Sequence, residues 1–192
     1  MSAKAISDIL TRSASVKLAT AEHCSAAAFE ASRMIANGLR DGGKLMLCGN
    51  GGSAADAQHL AAEFVATLDH QRPRQGLAAM ALTTDTSALT AIGNDYGFKY
   101  IFSRQIEAIG NKGDIVIAIT TSGNSLNLIE ALKIAKRKKI LTFCFSGNKG
   151  GKLKRYAQYP IILNSNETDV LQVAEIAIGQ IYCSILEDYF FK

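Results

Sequence analysis

The sequence predicts an α/β fold in which a five-stranded parallel sheet is flanked by helices and preceded by a long helical segment. Two observations carry that reading. Three apolar, partly β-branched runs, Lys44 to Cys48, Asp114 to Thr120 and Ile140 to Ser146, are each followed by small polar residues and then a helical pattern, the alternation a parallel sheet with crossover helices requires. Two further apolar runs, Ala78 to Leu82 and Pro160 to Leu163, bring the strands to five.

Taken in order, Ile6 to Arg40 reads as helix, broken near His23; it precedes the first strand and so cannot be a crossover, and its many small side chains suit helix packing on its own sheet or on another subunit. The first strand runs into Gly49-Asn50-Gly51-Gly52-Ser53 and a helix over Ser53 to Leu68, with Ser53 as its cap. Short helices are expected at Ser87 to Ile92 and Phe102 to Ile109 between the second and third strands. The third strand ends on Thr120-Thr121-Ser122-Gly123-Asn124-Ser125 and a helix over Ser125 to Lys138; the final helix spans Thr168 to Phe190.

At 192 residues and 48% hydrophobic, the chain suffices for one sizeable core, read as one domain over 1–192 with a helical segment at 1–42 and an α/β core at 43–192. The apolar runs look shorter than a bilayer span, and no targeting pattern opens the chain, so a cytoplasmic protein away from membranes is expected. Net charge is a modest +4, much of it in Lys133, Lys136, Arg137, Lys138 and Lys139. Cations at a helix C-terminus oppose its negative end, which makes this run a solvated cap and argues against direct nucleic-acid binding. Cys24, Cys48, Cys144 and Cys183 are widely spaced and form no CxxC pair; buried free thiols are expected.

In an open parallel sheet, ligands bind beyond the carboxyl ends of the strands. The loop at 49–53 lets backbone approach a ligand and leads into a helix N-terminus, a natural anion site, although glycine also serves tight turns for structural reasons alone. The loop at 120–125 offers hydroxyls that hold a phosphate without Lys or Arg, or simply a capped turn. No Walker pattern or GxGxxG with a ribose-binding acid is present, which favours a small phosphorylated metabolite over a nucleotide. His59 and Glu63, four apart on one helix face, can ligate a metal, pair a base with its partner, or make an ordinary surface contact. Asn94 and Asp95 read as a polar turn after an apolar stretch, or simply as a helix stop.

Five stretches, CGNGGSAADAQHLAAEF (48–64), ALTTDTSALTAIGNDYGF (81–98), FSRQIEAIG (102–110), GDIVIAITTSGNS (113–125) and SGNKGGK (146–152), resemble the phosphoheptose isomerases of the sugar isomerase (SIS) class. The resemblance implies a three-layer SIS-type fold, a homotetramer with active sites near subunit boundaries, zinc, and isomerisation of sedoheptulose 7-phosphate to D-glycero-D-manno-heptose 7-phosphate for lipopolysaccharide or capsule. It places Asn50, Gly51, Gly52, Ser53, Asn94, Asp95, Asp169 and Gln172 on the substrate, and Thr120, Thr121, Ser122 and Ser125 on its phosphate. His59, Glu63, Gln172 and Gln180 fall on metal positions, and Glu63 and Gln180 on catalytic ones. Glu63 also touches substrate, as the carboxylate that would move a proton between neighbouring carbons through an enediol.

The sequence departs from that family at Glu175 and Gln180, where histidines are usual, and at Thr67 and Val170, where basic residues are usual. A glutamine amide cannot take up a proton near neutral pH. Two alternatives follow from these departures: an isomerase of another phosphosugar, or a non-catalytic branch of the same fold that binds the replication initiator DnaA, for which the tail Tyr189-Phe190-Phe191-Lys192 would be contact surface.

Overall fold

The computed structural model describes residues 2–190. Its strands are β1 (Leu45–Gly49), β2 (Ala79–Ala81), β3 (Ile115–Thr120), β4 (Leu141–Ser146) and β5 (Tyr159–Ile162), and its helices α1 (Ala3–Arg40), α2 (Gly52–Val65), α3 (Thr86–Asp95), α4 (Ser103–Ile109), α5 (Leu126–Arg137) and α6 (Thr168–Phe190). The strands form one sheet in the order β2-β1-β3-β4-β5, and every neighbouring pair is parallel.

Strand side chains alternate between the two faces, and both faces are covered. Leu45, Leu47, Ile115, Ile117, Ile119, Phe143 and Phe145 pack with α1, α2 and α6. Met46, Cys48, Val116, Ala118 and Cys144 pack with α4 and α5, and Leu89 and Ile92 of α3 add to that layer. Because neither face meets water, the central strands are apolar throughout, as parallel sheets require.

Two expectations need correction. α1 is unbroken from Ala3 to Arg40, since nothing near His23 interrupts a helix: the span holds no proline, and Thr20 bonds back to the Val16 carbonyl at 2.7 Å without breaking the ladder. Ser53 is not a cap; Gly51 occupies that position without a side-chain bond, and Ser53 is buried within the first turn of α2. Asn94 and Asp95 close the last turn of α3, the helix-stop reading of the two.

α6 is, by length and composition, long and apolar enough to cross a membrane, contrary to the expectation of shorter runs. Its apolar face nonetheless belongs to the core: Leu171, Ala174, Ile178, Tyr182, Cys183 and Leu186 are buried against the sheet and its covering helices. Cys48, Cys144 and Cys183 are buried free thiols, while Cys24 is half-buried. Burial pushes the thiols of Cys48 and Cys144 up to about 12.

Candidate active site

The sheet order places β1 and β3 side by side although the chain visits β2 between them. That reversal is the topological switch point, where strand ends part and a crevice opens. A cleft of about 260 Å³ lies there, lined by Asn50, Gly51, Gly52, Ser53, Ile119, Thr120, Thr121, Ser122, Ser125, Thr168 and Gln172. Among the described residues no charged side chain lines it. Instead the first residues of α2 and α6 and the N-cap of α5 border it, so three positive helix ends and several hydroxyls face one space.

Close backbone packing fixes these loops. A Cβ on Gly52 would lie 2.3 Å from the Gln172 amide nitrogen, so α6 seats its side chain directly over the start of α2. Asn50 and Asn127 exchange amide hydrogen bonds of 3.0 and 2.7 Å, tying the first loop to α5. Gly123 has φ +66°, and a Cβ there would sit 2.4 Å from the Gly150 carbonyl oxygen; only glycine fits. The Leu153 N–H donates to the Gly123 carbonyl at 2.8 Å, and the Lys152 N–H donates to Asn124 Oδ1 at 3.1 Å. The 146–152 loop therefore braces the 120–125 loop from behind.

α2 and α6 run parallel away from the cleft. Gly52 meets Gln172, a Cβ on Gly179 would lie 2.3 Å from Leu60 Cδ1, and Thr67 beyond the end of α2 bonds Glu187 at 2.7 Å. Gly52, Asp56, His59 and Glu63 follow one stripe of α2. His59 Nε2 lies 3.0 Å from Glu63 Oε1. Higher on the seam, Asp56 Oδ2 and both Glu175 oxygens are buried without a partner. Burial, and then the Asp56 charge, push the Glu175 carboxyl up to about 8; burial raises Asp56 too, opposed by His59.

The resemblance calls for zinc, and the four expected positions can be tested for fit. Gln172 sits against Gly52, and eleven residues of α2, about 16 Å of helix rise, separate Gly52 from Glu63. Gln180 is half-buried on α6, between Gly179 against Leu60 and Cys183, which senses the Glu63 charge. One imidazole, one carboxylate and two amides make a poor zinc set, and no three His, Cys, Asp or Glu side chains gather as a metal site among the described residues. The donors of one chain do not fit the ion.

Asn94, Asp95 and Asp169 are exposed and lie outside the cleft lining; the first pair bond each other at 2.7 Å. Tyr189 stays exposed while its hydroxyl meets Arg40 and Asn37 of α1, and Phe190 packs on the core. Phe191 and Lys192 lie outside the described residues. Thr168 in the lining and Asn127 behind it escape the sequence reading. For Asn127 a signal exists, an amide on the apolar face of an amphipathic helix; Thr168 reads as an ordinary helix start.

Residues 11–147 match the SIS domain family. The chain is 48% identical over 183 residues to a phosphoheptose isomerase of Aquifex aeolicus, covering 95% of each chain. It is 51% identical over 153 residues to one of Aneurinibacillus thermoaerophilus, covering 80% of this chain and 76% of the relative. Among solved structures it is similar to phosphoheptose isomerases of Neisseria gonorrhoeae (TM-score 0.89, 37% identity, 96% and 98% of the two chains) and Francisella tularensis (TM-score 0.93, 31% identity, 98% and 100%). A family match over most of the chain and identity near half along nearly its whole length place it plainly: the chain belongs to the phosphoheptose isomerases of the SIS domain family.

Proposed function

We propose that this chain is a ketose–aldose isomerase that converts sedoheptulose 7-phosphate to D-glycero-D-manno-heptose 7-phosphate for heptose biosynthesis. The observation that carries the reading is the cleft of hydroxyls, amides and helix N-termini at the β1/β3 switch point. Such a site takes a phosphate ester by neutral donors and backbone dipoles. Thr120, Thr121, Ser122 and Ser125 hold the phosphate, while Asn50, Gly51, Gly52, Ser53 and Gln172 line the sugar.

Glu63 serves as the base. It takes the C1 proton of the ketose, leaving an enediolate, and returns it to C2; the hydroxyl proton on O1 passes to O2. His59, 3.0 Å from the carboxylate, orients it and is the imidazole able to relay that second proton. Gln180 can hold a sugar oxygen but cannot relay.

The helix rise of about 16 Å between Gly52 and Glu63 exceeds the reach of a seven-carbon chain anchored in the cleft. This supports a homotetramer in which Glu63, and with it Asn94, Asp95 and Asp169, meets substrate across a subunit boundary. The exposed Ile6, Ile9, Leu10, Leu18, Phe29, Val173 and Ile181 on α1 and α6 supply apolar surface for that assembly.

The test follows the sugar by NMR after mixing it with pure protein, with and without zinc. An aldose signal is expected, and Glu63→Gln should lower its rate by about 10³-fold or more. Mixed oligomers of Glu63→Gln and Ser122→Ala should regain activity that neither variant has alone. No aldose under any metal condition would end the enzymatic reading, and failure of complementation would end the shared site.

A further inference from the structure

Beyond the substrate-facing groups, we infer that Arg74 and Glu187 are positioning residues for the reaction: a buried ion pair that locks the helix turn carrying Glu63. The inference rests on the reading of Glu63 as the base.

Glu63 stands in the last turn of α2, which ends at Val65. The final carbonyls of a helix have no partners within it and carry its negative end. Arg74 supplies what is missing. Its Nη2 donates to the Glu63 carbonyl at 2.9 Å, and its Nη1 donates to the Phe64 carbonyl at 2.9 Å. One guanidinium thus spans two successive carbonyls, one of them on the residue whose side chain does the chemistry.

Arg74 is in turn anchored. Its Nη2 lies 3.3 Å from Glu187 Oε1, with 2% and 1% of the two side chains exposed. The Thr67 hydroxyl and the Leu68 and Asp69 N–H groups donate to the same carboxylate at 2.7, 2.6 and 3.1 Å. Glu187 therefore clamps the chain leaving α2, while Arg74, from nine residues beyond the helix end, reaches back to cap it. Cys183, one turn before Glu187 on α6, senses Glu63, Glu187 and Arg74 together, which places all three around one buried thiol. A carboxylate in an uncapped last turn would fray with it; here two guanidinium N–H groups pin the turn, and Glu187 on a second helix holds both that guanidinium and the chain leaving α2. A lysine at position 74 would keep the charge but could not span both carbonyls.

The experiment compares Arg74→Lys, Arg74→Ala, Glu187→Gln and Glu63→Gln in steady-state kinetics with sedoheptulose 7-phosphate. It is run at a temperature where circular dichroism shows each variant folded. Expected is a kcat lower by roughly 10- to 100-fold for the Arg74 and Glu187 variants with KM nearly unchanged, Arg74→Lys losing least. A purely structural pair would lower melting temperature and leave kcat of the folded protein intact; that result overturns the inference. Glu187→Asp takes the place of any variant that does not fold. His59, one of three histidines in the chain, gives a second readout in its ring-proton resonances. They should shift in Arg74→Lys as the Glu63 carboxylate moves, and an unmoved signal overturns the inference as well. If Glu63→Gln keeps full turnover, the base assignment fails, and the His59 resonance alone decides whether the pair sets the position of this carboxylate.

Discussion

Glu175 and Glu187 stand on the same helix, α6, with 0% and 1% of their surface exposed, yet their surroundings drive them in opposite directions. Near Glu175 the seam offers, among the described residues, no donor to either oxygen and a second carboxylate, Asp56, close enough to repel it. The outcome is a carboxyl pushed up to about 8, a neutral acid at pH 7. Burial alone would raise Glu187 too, but the Thr67 hydroxyl, the Leu68 and Asp69 N–H groups and the Arg74 guanidinium outweigh it and hold that carboxyl below its usual range. Donor density, not depth, sets the charge of a buried acid.

The sharpest way to break this contrast is to delete each carboxylate. Glu187→Ala leaves Arg74 as an unpaired buried cation and frees three donors; a loss of about 3–5 kcal/mol in denaturant unfolding is expected. Glu175→Gln should do the reverse at alkaline pH. A group neutral in the fold and ionised when unfolded makes the native state the better proton binder between 4.5 and about 8. Stability contributed by Glu175 is therefore present at low pH, falls through that window and levels off above it. At pH 8.5 the glutamine variant should exceed the parent by on the order of 5 kcal/mol, with the difference vanishing near pH 4. Glu187 has the opposite sign: its contribution is present above the ordinary carboxylate value and lost as pH falls through its depressed one. Relative to the parent, melting curves of the two variants from pH 3 to 9 should part in opposite directions toward the alkaline end and draw together toward acid, and parallel curves would refute the contrast.

A smaller effect tests the cleft itself. Gly123→Ala forces a side chain into a left-handed backbone position against the Gly150 carbonyl, costing about 1–3 kcal/mol. KM for the sugar phosphate should rise more than kcat falls. Smallest of all, Cys48, Cys144 and Cys183 should resist alkylation in the native protein, since burial holds each thiol near 12; mass spectrometry should find Cys24 labelled first.

The sheet was legible because each central strand is an apolar run ending in glycine or hydroxyl residues, and β1, β3 and β4 fall within a residue of their expected bounds. The cleft was legible for the same reason: its loops are contiguous stretches of sequence. The seam was not. Arg74 and Glu187 are more than a hundred residues apart, and neither lies in a motif; their partnership exists only because α2 and α6 run side by side. Glu175 reads in sequence as one more polar helix residue, and only the fold shows that nothing reaches it. The break expected at His23 failed because a polar residue on an exposed helix face carries no signal to stop.

The interlock of Gly123 with Gly150 and Gly151 bears on how such a protein could be adapted to other sugars. A methyl group on Gly123 would meet the Gly150 carbonyl, and one on Gly151 would meet the Gly123 carbonyl, so neither turn tolerates change without compensation next door. The anchoring end of the ligand is thereby insulated from drift, and variation in chain length or stereochemistry must be accommodated elsewhere, at the open side of the groove around Thr168. An engineer seeking a new substrate should begin with that threonine and leave the interlocked turns alone.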